Sequence, residues 1–167
     1  GTKPRWALDY IDSINRVLTL GPEILLPSHG EAILGNDNIN KEMIRYRDAI
    51  QYVHDMTVEG MNEGKDVYSL MRSIKLPEEL DVGEAYGWVS WSVRGIYEGY
   101  MGWFDGNPVS MYPHSPKSIY SDLISLTDDI QKVIKLAEDH LFKDNSIKAL
   151  LLIEAAMKAD PENISIV

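Results

Sequence analysis

Residues 40–60 are NKEMIRYRDAIQYVHDMTVEG, and the spacing of their side chains decides the fold class. The positions that would form a core recur at intervals of three and four, with charged residues between them: Met43, Tyr46, Ile50, Val53 and Thr57. This is the period of one face of an α-helix. The pattern predicts a long helix that begins near Asn40 and ends at Gly60 or Gly64, and it favours a mostly all-α protein.

Helical patterns also occupy residues 4–20, 66–74, 128–142 and 146–159. Gly21-Pro22 is expected to end the first of these helices, and Ser115-Pro116 can begin a new one. The last two helices are joined by only three residues, 143–145, which makes them antiparallel neighbours. Residues 149–161 resemble the second helix of a tetratricopeptide-type repeat, and a single such hairpin does not indicate a solenoid.

Residues 84–103 combine aromatic side chains with glycine, which is unusual in a helix because each glycine costs about 1 kcal/mol relative to alanine. Gly87, Gly95 and Gly99 are predicted to lie near one face, where they would let another helix or a bound group approach closely. An adjacent apolar stripe is formed by Val89, Val93, Ile96 and Tyr100. We interpret both features as helix packing.

A short apolar run at residues 24–26 predicts a strand, and Pro27-Ser28-His29-Gly30 then predicts a tight turn. His29 has two interpretations: a turn histidine bonded to local backbone, or a metal ligand whose partners lie outside this chain. A hydrolytic zinc site needs three or more protein ligands and an open position for water. The other histidines are scattered, so the residues alone do not complete such a site. Residues 30–38 are rich in turn formers and predict a domain boundary.

The composition excludes several classes of function. The chain has 167 residues, no cysteine and a formal net charge of −10. The negative charge argues against nucleic acid or an anionic membrane as a partner, and the absence of cysteine excludes disulfides, thiolate zinc sites and cysteine catalysis. No apolar run approaches the roughly 20 residues needed to span a bilayer. The compartment stays open between cytoplasm and secretion, and a start at Gly1-Thr2 indicates a cut or engineered terminus.

Few residues are candidates for chemistry, and we assign none a catalytic role. His54 is expected to be a buried histidine held by its neighbours. Arg94 lies between aromatic residues and could bind an anionic group bidentately, although a structural cation–π or carboxylate contact is the simpler interpretation. No phosphate-binding glycine loop is present, because Gly30 and Gly35 are not followed by Lys-Ser/Thr.

Several segments together resemble the alkyl sulfatase branch of the metallo-β-lactamase superfamily. The matching segments are collinear across most of the chain: residues 23–30, 52–57, 61–64, 76–77, 86–87, 93–97 and 100–108. The last of them, Tyr100-Met101-Gly102-Trp103-Phe104-Asp105-Gly106-Asn107-Pro108, is long and compositionally odd. It carries the resemblance most strongly.

This resemblance implies a domain organisation and a parent activity. Residues 1–37 would be the C-terminal remnant of a metallo-β-lactamase-like hydrolase domain, consisting of a short helix and a strand. Residues 38–167 would be a helical homodimerisation domain that ends in the tetratricopeptide-like hairpin. The parent enzyme would use two zinc ions to hydrolyse sulfate esters of hydrophobic alcohols. His29 would be a ligand of the second zinc ion there, and Tyr100, Tyr97 and Arg94 would contact substrate. Trp103 would join Tyr97 and Tyr100 in walling an apolar channel.

The resemblance also defines what this chain lacks. The main metal motif of the family, His-x-His-x-Asp-His, is absent, so the zinc ions would belong to an upstream domain of the same polypeptide. We therefore expect no cofactor in this chain and no hydrolysis by it alone. Residues 1–35 would either need the sheet of the parent domain or pack on the helical domain, which would leave His29 on an exposed loop. Alternatives are a stand-alone helical interaction module and a superfamily hydrolase that acts on another ester.

Overall fold

A computed structural model describes residues 6–84, 87–127 and 129–162. The predicted mostly α-helical fold is confirmed: the described residues form helices, short 3-10 turns and one two-stranded sheet. The chain divides into two compact units, Gly1–Asp105 and Gly106–Val167. The resemblance predicts a domain boundary between residues 37 and 38, and this position lies in the first turn of a helix. The boundary between the hydrolase and dimerisation domains therefore stays a prediction.

The first unit begins with helix α1, Ala7–Thr19, whose Ile11 and Ile14 are buried. Strand β1, Ile24–Leu25, then pairs antiparallel with strand β2, Ile33–Leu34. Helix α1 packs on the long helix that follows: the rings of Tyr10 and Tyr46 meet edge to face with centroids 6.1 Å apart. Within the described residues, α1 thus packs on α2, as one of the two outcomes expected for the N-terminal segment has it.

The long helix α2 spans Asn36–Asn62, four residues longer at its start than the spacing predicts. The prediction began near Asn40 because asparagines are turn formers, but here their side chains satisfy nearby polar groups. Asn36 Nδ2 donates to the Pro22 carbonyl at 3.2 Å, and Asn38 Nδ2 donates to the Leu34 carbonyl at 3.0 Å. Residues 30–38, which the sequence marked as rich in turn formers, therefore also hold regular structure. They contain β2 and the first turn of α2.

Helices α3, Val67–Ser73, and α4, Val89–Met101, pack with α2 around one core. Val53, Leu70, Ile74 and Val93 are its buried members. This core uses the inner apolar faces of α2 and α4 within the chain. A homodimer built on these two helices would have to use their outer faces.

The glycine pattern of α4 is confirmed only in part. Gly87 precedes the helix, because the Glu84 carboxylate accepts the N–H of Val89 at 2.7 Å and the helix begins there. Gly95 has open space where a Cβ would be. Gly99 provides the close approach that was predicted: an added Cβ would lie 2.8 Å from Cζ3 of Trp6.

The second unit contains short 3-10 turns and three helices: α5, Tyr120–Ser125, α6, Ile130–Phe142, and α7, Ser146–Ala159. Ser115 caps the segment as expected, although Pro116 opens a 3-10 turn that precedes α5. Helix α6 was predicted from Asp128, which lies outside the described residues. Asp129 caps α6 by accepting the N–H of Gln131. The short connection to α7 produces the predicted tetratricopeptide-like hairpin, packed around Val133, Ile134 and Ala156.

Candidate functional site

An open cavity of about 340 Å³ lies in the first unit, where the start of α1 meets α2 and α4. Its wall contains side chains from all three helices: Trp6, Ala7, Leu8, Asp9, His54, Gly95, Ile96 and Tyr100. Two features of the sequence create the space. Gly95 adds no side chain to the wall, and Gly99 lets the Trp6 ring approach the backbone of α4. The cavity is therefore mostly apolar, with polar atoms confined to a few positions.

His54 supplies the buried polar group of this cavity. Its side chain projects from the middle of α2, and only 8% of the residue is exposed. Nδ1 lies 2.8 Å from Oδ1 of Asp55, and Nε2 lies 2.8 Å from the hydroxyl of Tyr100. Oδ1 of Asp55 also accepts from Nε2 of Gln51 at 2.7 Å. The three groups thus form a chain of hydrogen bonds from a solvent-exposed carboxylate, through a buried imidazole, to a phenol at the cavity.

The three proposed substrate contacts on α4 are not brought together. Tyr100 lines the cavity and is half exposed. Tyr97 packs instead against the core of Val53, Leu70, Ile74 and Val93. Arg94 lies on the outer surface, where its Nε donates to Glu98 at 2.7 Å, and this hydrogen bond and charge raise the pKa of the guanidinium. The carboxylate contact expected for Arg94 is therefore present, and of these three residues only Tyr100 belongs to the cavity wall.

His29 lies in the exposed turn between β1 and β2, where Pro-Ser-His-Gly was predicted to place it. Among the described residues, no group of three or more His, Asp or Glu side chains could hold a metal ion. A zinc ion bound through His29 would need ligands from another part of the parent protein.

The sequence predicted that His54 is buried and held by its neighbours, and this is confirmed. The partnership with Tyr100 was missed because 46 residues separate the two side chains. Pairing His54, which lies beside the apolar stripe of α2, with Tyr100 on the apolar stripe of α4 would have suggested this hydrogen bond. The contact of Trp6 with Gly99 was missed for the same reason: it depends on how α1 packs, which no local pattern encodes.

The second unit presents a largely apolar helix face, interrupted by Glu154, which pairs with Lys117. Side chains with the spacing of one face of α7 are between 47% and 67% exposed: Ile147, Leu150, Leu151 and Met157. On α6 and at the hairpin tip, Leu136, Leu141 and Phe142 are also exposed, Phe142 by 94%. The buried face of α7, with Ala149 and Ala156, packs within the unit. Exposed apolar patches of this kind mark interaction surfaces.

None of the helices in the described ranges has the length and apolar character required to cross a bilayer.

Comparison with known proteins places this architecture. The family described as alkyl sulfatase dimerisation matches residues 67–165. A linear primary-alkylsulfatase from a Pseudomonas strain is 34% identical over 98% of this chain and 32% of its own length. The alkyl/aryl-sulfatase BDS1 of Saccharomyces cerevisiae is 24% identical over 95% of this chain and 25% of its own length.

The solved structure of the stereoselective inverting sec-alkylsulfatase Pisa1 from Pseudomonas sp. has the same fold over this region. It aligns with a TM-score of 0.88 and 25% identity, covering 99% of this chain and 27% of that chain. The chain thus spans about a quarter to a third of the length of the relatives it matches.

Proposed function

This chain belongs to the alkyl sulfatase dimerisation family, and from that membership we propose that it joins two copies of a zinc-dependent alkyl or aryl sulfatase and walls part of its substrate pocket. Residues 1–37 would be the edge of the hydrolase domain and residues 38–167 the dimerisation domain. The parent reaction would be hydrolysis of sulfate esters of hydrophobic alcohols, with two zinc ions bound by an upstream domain. His29 would complete the second metal site there.

The observation that carries the homodimer is the exposed apolar face of α7. Ile147, Leu150 and Leu151 are more than half exposed although they follow the i, i+3, i+4 spacing of a helix face that packs. Residues 67–165, which include this helix, match a family described by dimerisation. A second copy of the same face is the occupant we propose, because most soluble homodimers pair one patch with itself about a two-fold axis.

Two-fold symmetry makes this proposal sensitive to a single substitution. A hot-spot side chain at the centre of an interface costs about 2 kcal/mol or more when it is lost, and Leu150 is proposed as one. Each Leu150 would be replaced in both copies, so Leu150→Lys would weaken the dimer by about 4 kcal/mol, or about 1000-fold in the dissociation constant.

Sedimentation velocity and light scattering of this chain over a range of concentrations test the dimer. We expect a dimer for the unaltered chain at tens of micromolar and a monomer for Leu150→Lys. The matched control is Leu20→Lys, which alters a leucine that is 78% exposed in the first unit and should leave the dimer intact. A monomeric unaltered chain would contradict dimerisation and favour a stand-alone interaction module. A dimer that survives Leu150→Lys would rule out the α7 face.

The substrate role proposed for Tyr100, Tyr97 and Arg94 is best supported at Tyr100, whose ring lines the open cavity. Tyr97 and Arg94 would contribute at the margins, since one packs on the core and the other pairs with Glu98.

The proposed activity is tested in a polypeptide that carries this chain behind a domain with the His-x-His-x-Asp-His motif. We expect it to release sulfate from a long-chain alkyl sulfate. His29→Ala should lower both its zinc content and its sulfate release. A polypeptide without the motif, or one that cleaves a different ester only, would contradict the sulfatase assignment.

A further inference from the structure

We infer that His54 is a positioning residue that accepts the only hydroxyl hydrogen of Tyr100. The cavity between α1, α2 and α4 then offers a ligand a hydrogen-bond acceptor at Tyr100, and it selects an uncharged alkyl alcohol over an anion. The inference rests on the proposed function and deepens it, because it says that Tyr100 would meet the alcohol released by hydrolysis and not the sulfate group of the ester. It begins with the two hydrogen bonds of one buried ring.

The first step is the position of the imidazole hydrogen. Asp55 Oδ1 lies 2.8 Å from Nδ1 of His54, and an ionised carboxylate can only accept hydrogen bonds. Nδ1 must therefore carry the hydrogen. In a neutral imidazole the other nitrogen, Nε2, is then an acceptor.

The second step is the direction of the bond to Tyr100. The hydroxyl lies 2.8 Å from Nε2, and an acceptor nitrogen requires the phenol to donate. A tyrosine has one hydroxyl hydrogen, so Tyr100 has none left for a ligand. Its oxygen retains lone pairs that can accept. Viewed from the cavity, Tyr100 is an acceptor that is fixed in place by a buried ring.

The third step is the choice of ligand. A sulfate group is anionic and offers only acceptor oxygens, so it gains no hydrogen bond from Tyr100. The acidic residue Asp9 also lines the cavity, and Asp55 lies behind His54, so the local charge disfavours an anion. The remaining wall is largely apolar, with Trp6, Leu8 and Ile96. An alkyl chain that ends in a hydroxyl fits these properties, and the alcohol that sulfate ester hydrolysis releases has that chemistry.

The hydrogen-bond direction is tested without any ligand. Long-range ¹H–¹⁵N correlation spectra of the chain, recorded at about pH 8, where histidine side chains are ordinarily neutral, report which ring nitrogen of His54 is protonated. We expect the Nδ1–H form. Asp55→Asn, which keeps the shape of the side chain but removes its charge, should reduce the population of that form. A ring protonated at Nε2 in the unaltered chain would overturn the inference, since Tyr100 would then accept and keep its own hydrogen for a ligand.

Ligand selection is tested with 1-hexanol and hexyl sulfate as probes, which share one alkyl chain. We expect hexanol to shift the resonances of Tyr100 and Ile96, and hexyl sulfate to do so only at several-fold higher concentration. Tyr100→Phe keeps the half-exposed ring and so should fold. It should weaken hexanol binding by roughly threefold to tenfold, the effect of one ordinary hydrogen bond, and leave hexyl sulfate unchanged.

Equal binding of both probes, stronger binding of hexyl sulfate, or no binding of either would overturn the ligand assignment. These outcomes are separate from those of the proposed function. A monomeric chain or a parent that cleaves no sulfate ester would leave the His54 tautomer as measured. A wrong tautomer would leave dimerisation untouched.

Discussion

Gly60 and Gly95 are both glycines inside long helices, yet replacing each by alanine should change stability in opposite directions. Gly60 is buried near the end of α2, and Gly95 lies in the middle of α4. A Cβ on Gly60 would lie 2.3 Å from Cδ2 of Leu70, whereas a Cβ on Gly95 would meet no atom within 4 Å. The same substitution therefore separates the effect of packing from that of helix propensity.

The magnitudes follow from these distances. Alanine in place of glycine favours a helix by about 1 kcal/mol, and this is the whole effect expected for Gly95→Ala. At Gly60 the gain is opposed by overpacking, which costs about 1–3 kcal/mol. The upper end applies because 2.3 Å is far inside a normal carbon–carbon contact and Leu70, at 2% exposure, has no space to move into. We expect Gly60→Ala to lower the free energy of unfolding by about 2 kcal/mol.

Urea denaturation followed by tryptophan fluorescence measures this difference selectively. All four tryptophans, Trp6, Trp88, Trp91 and Trp103, belong to the first unit, so their signal reports the unit that contains both glycines. A loss of about 2 kcal/mol corresponds to a midpoint lower by about 1 M urea. Gly95→Ala should raise the midpoint by about half that amount.

A double-mutant cycle identifies the cause. In a Leu70→Ala background the side chain that opposes Gly60→Ala is gone, so the second substitution should become neutral or stabilising. An unchanged cost in that background would show that Leu70 is not responsible. A stabilising Gly60→Ala in the unaltered chain would refute the packing described for α2 and α3. A destabilising Gly95→Ala would mean that its open face is covered in solution.

Two further effects concern the ends of helices α3 and α1. The pKa of Asp66 is lowered, first by the hydroxyl of Ser69 and then by backbone N–H groups. Its carboxylate therefore stabilises the fold above the ordinary aspartate pKa of about 4. This stabilisation is lost as the pH falls through the lower pKa of the folded state. Asp66→Asn should accordingly give a urea midpoint that falls less between neutral and acidic pH than that of the unaltered chain. Trp6→Ala should lower the free energy of unfolding of the first unit by about 1–2 kcal/mol, since about half of this ring is buried and it contacts Gly99. Fluorescence of the remaining tryptophans checks the second effect, and an unchanged midpoint would show that the ring does not hold α1 in place.

Helix positions were predictable here because a helix is encoded locally. The spacing in residues 40–60 predicted the helix α2, and the connection at residues 143–145 predicted the hairpin of α6 and α7. The predicted core face of α2 was only partly right: Val53 and Thr57 are buried, whereas Tyr46 is 44% exposed. Strand β2 was not predictable in the same way. Two residues, Ile33 and Leu34, give no recognisable alternation, and their pairing with Ile24 and Leu25 depends on how the turn between them folds.

In the candidate site, too, local features were predictable and contacts between helices were not. That His54 would be buried follows from its place on the apolar side of α2, and Arg94 pairs with Glu98 one helical turn away. The bond between His54 and Tyr100 joins residues from different helices, so it becomes visible only when α2 and α4 are packed. The cavity depends in addition on Trp6, which precedes α1. Tyr97 and Tyr100 were proposed together because both lie in the aromatic region 94–103 that carries the resemblance, yet they lie in different surroundings.

The second unit gives an independent reason to expect a partner, because it buries little apolar surface of its own. It has about 60 residues, a size at which a single core is marginal. The buried side chains of its described residues are few, and three of the five are alanines: Val133, Ile134, Ala137, Ala149 and Ala156. Larger ones, such as Phe142 and Leu150, are exposed. This distribution is the one expected of a unit that gains stabilisation by association.

This distribution predicts that the melting temperature of the second unit, and not that of the first, depends on protein concentration. A partner present at 100 times its dissociation constant stabilises a fold by about 2.7 kcal/mol, which for a domain of this size raises the melting temperature on the order of 10 °C. Far-ultraviolet circular dichroism reports the helices of both units, whereas tryptophan fluorescence reports the first unit only. The unfolding transition seen by circular dichroism alone therefore belongs to the second unit, and its melting temperature should rise with protein concentration. Leu150→Lys should abolish this dependence. If the second unit melts at the same temperature at every concentration, its exposed helix face is not buried by a second copy, because a dimer that buries it must stabilise it by mass action.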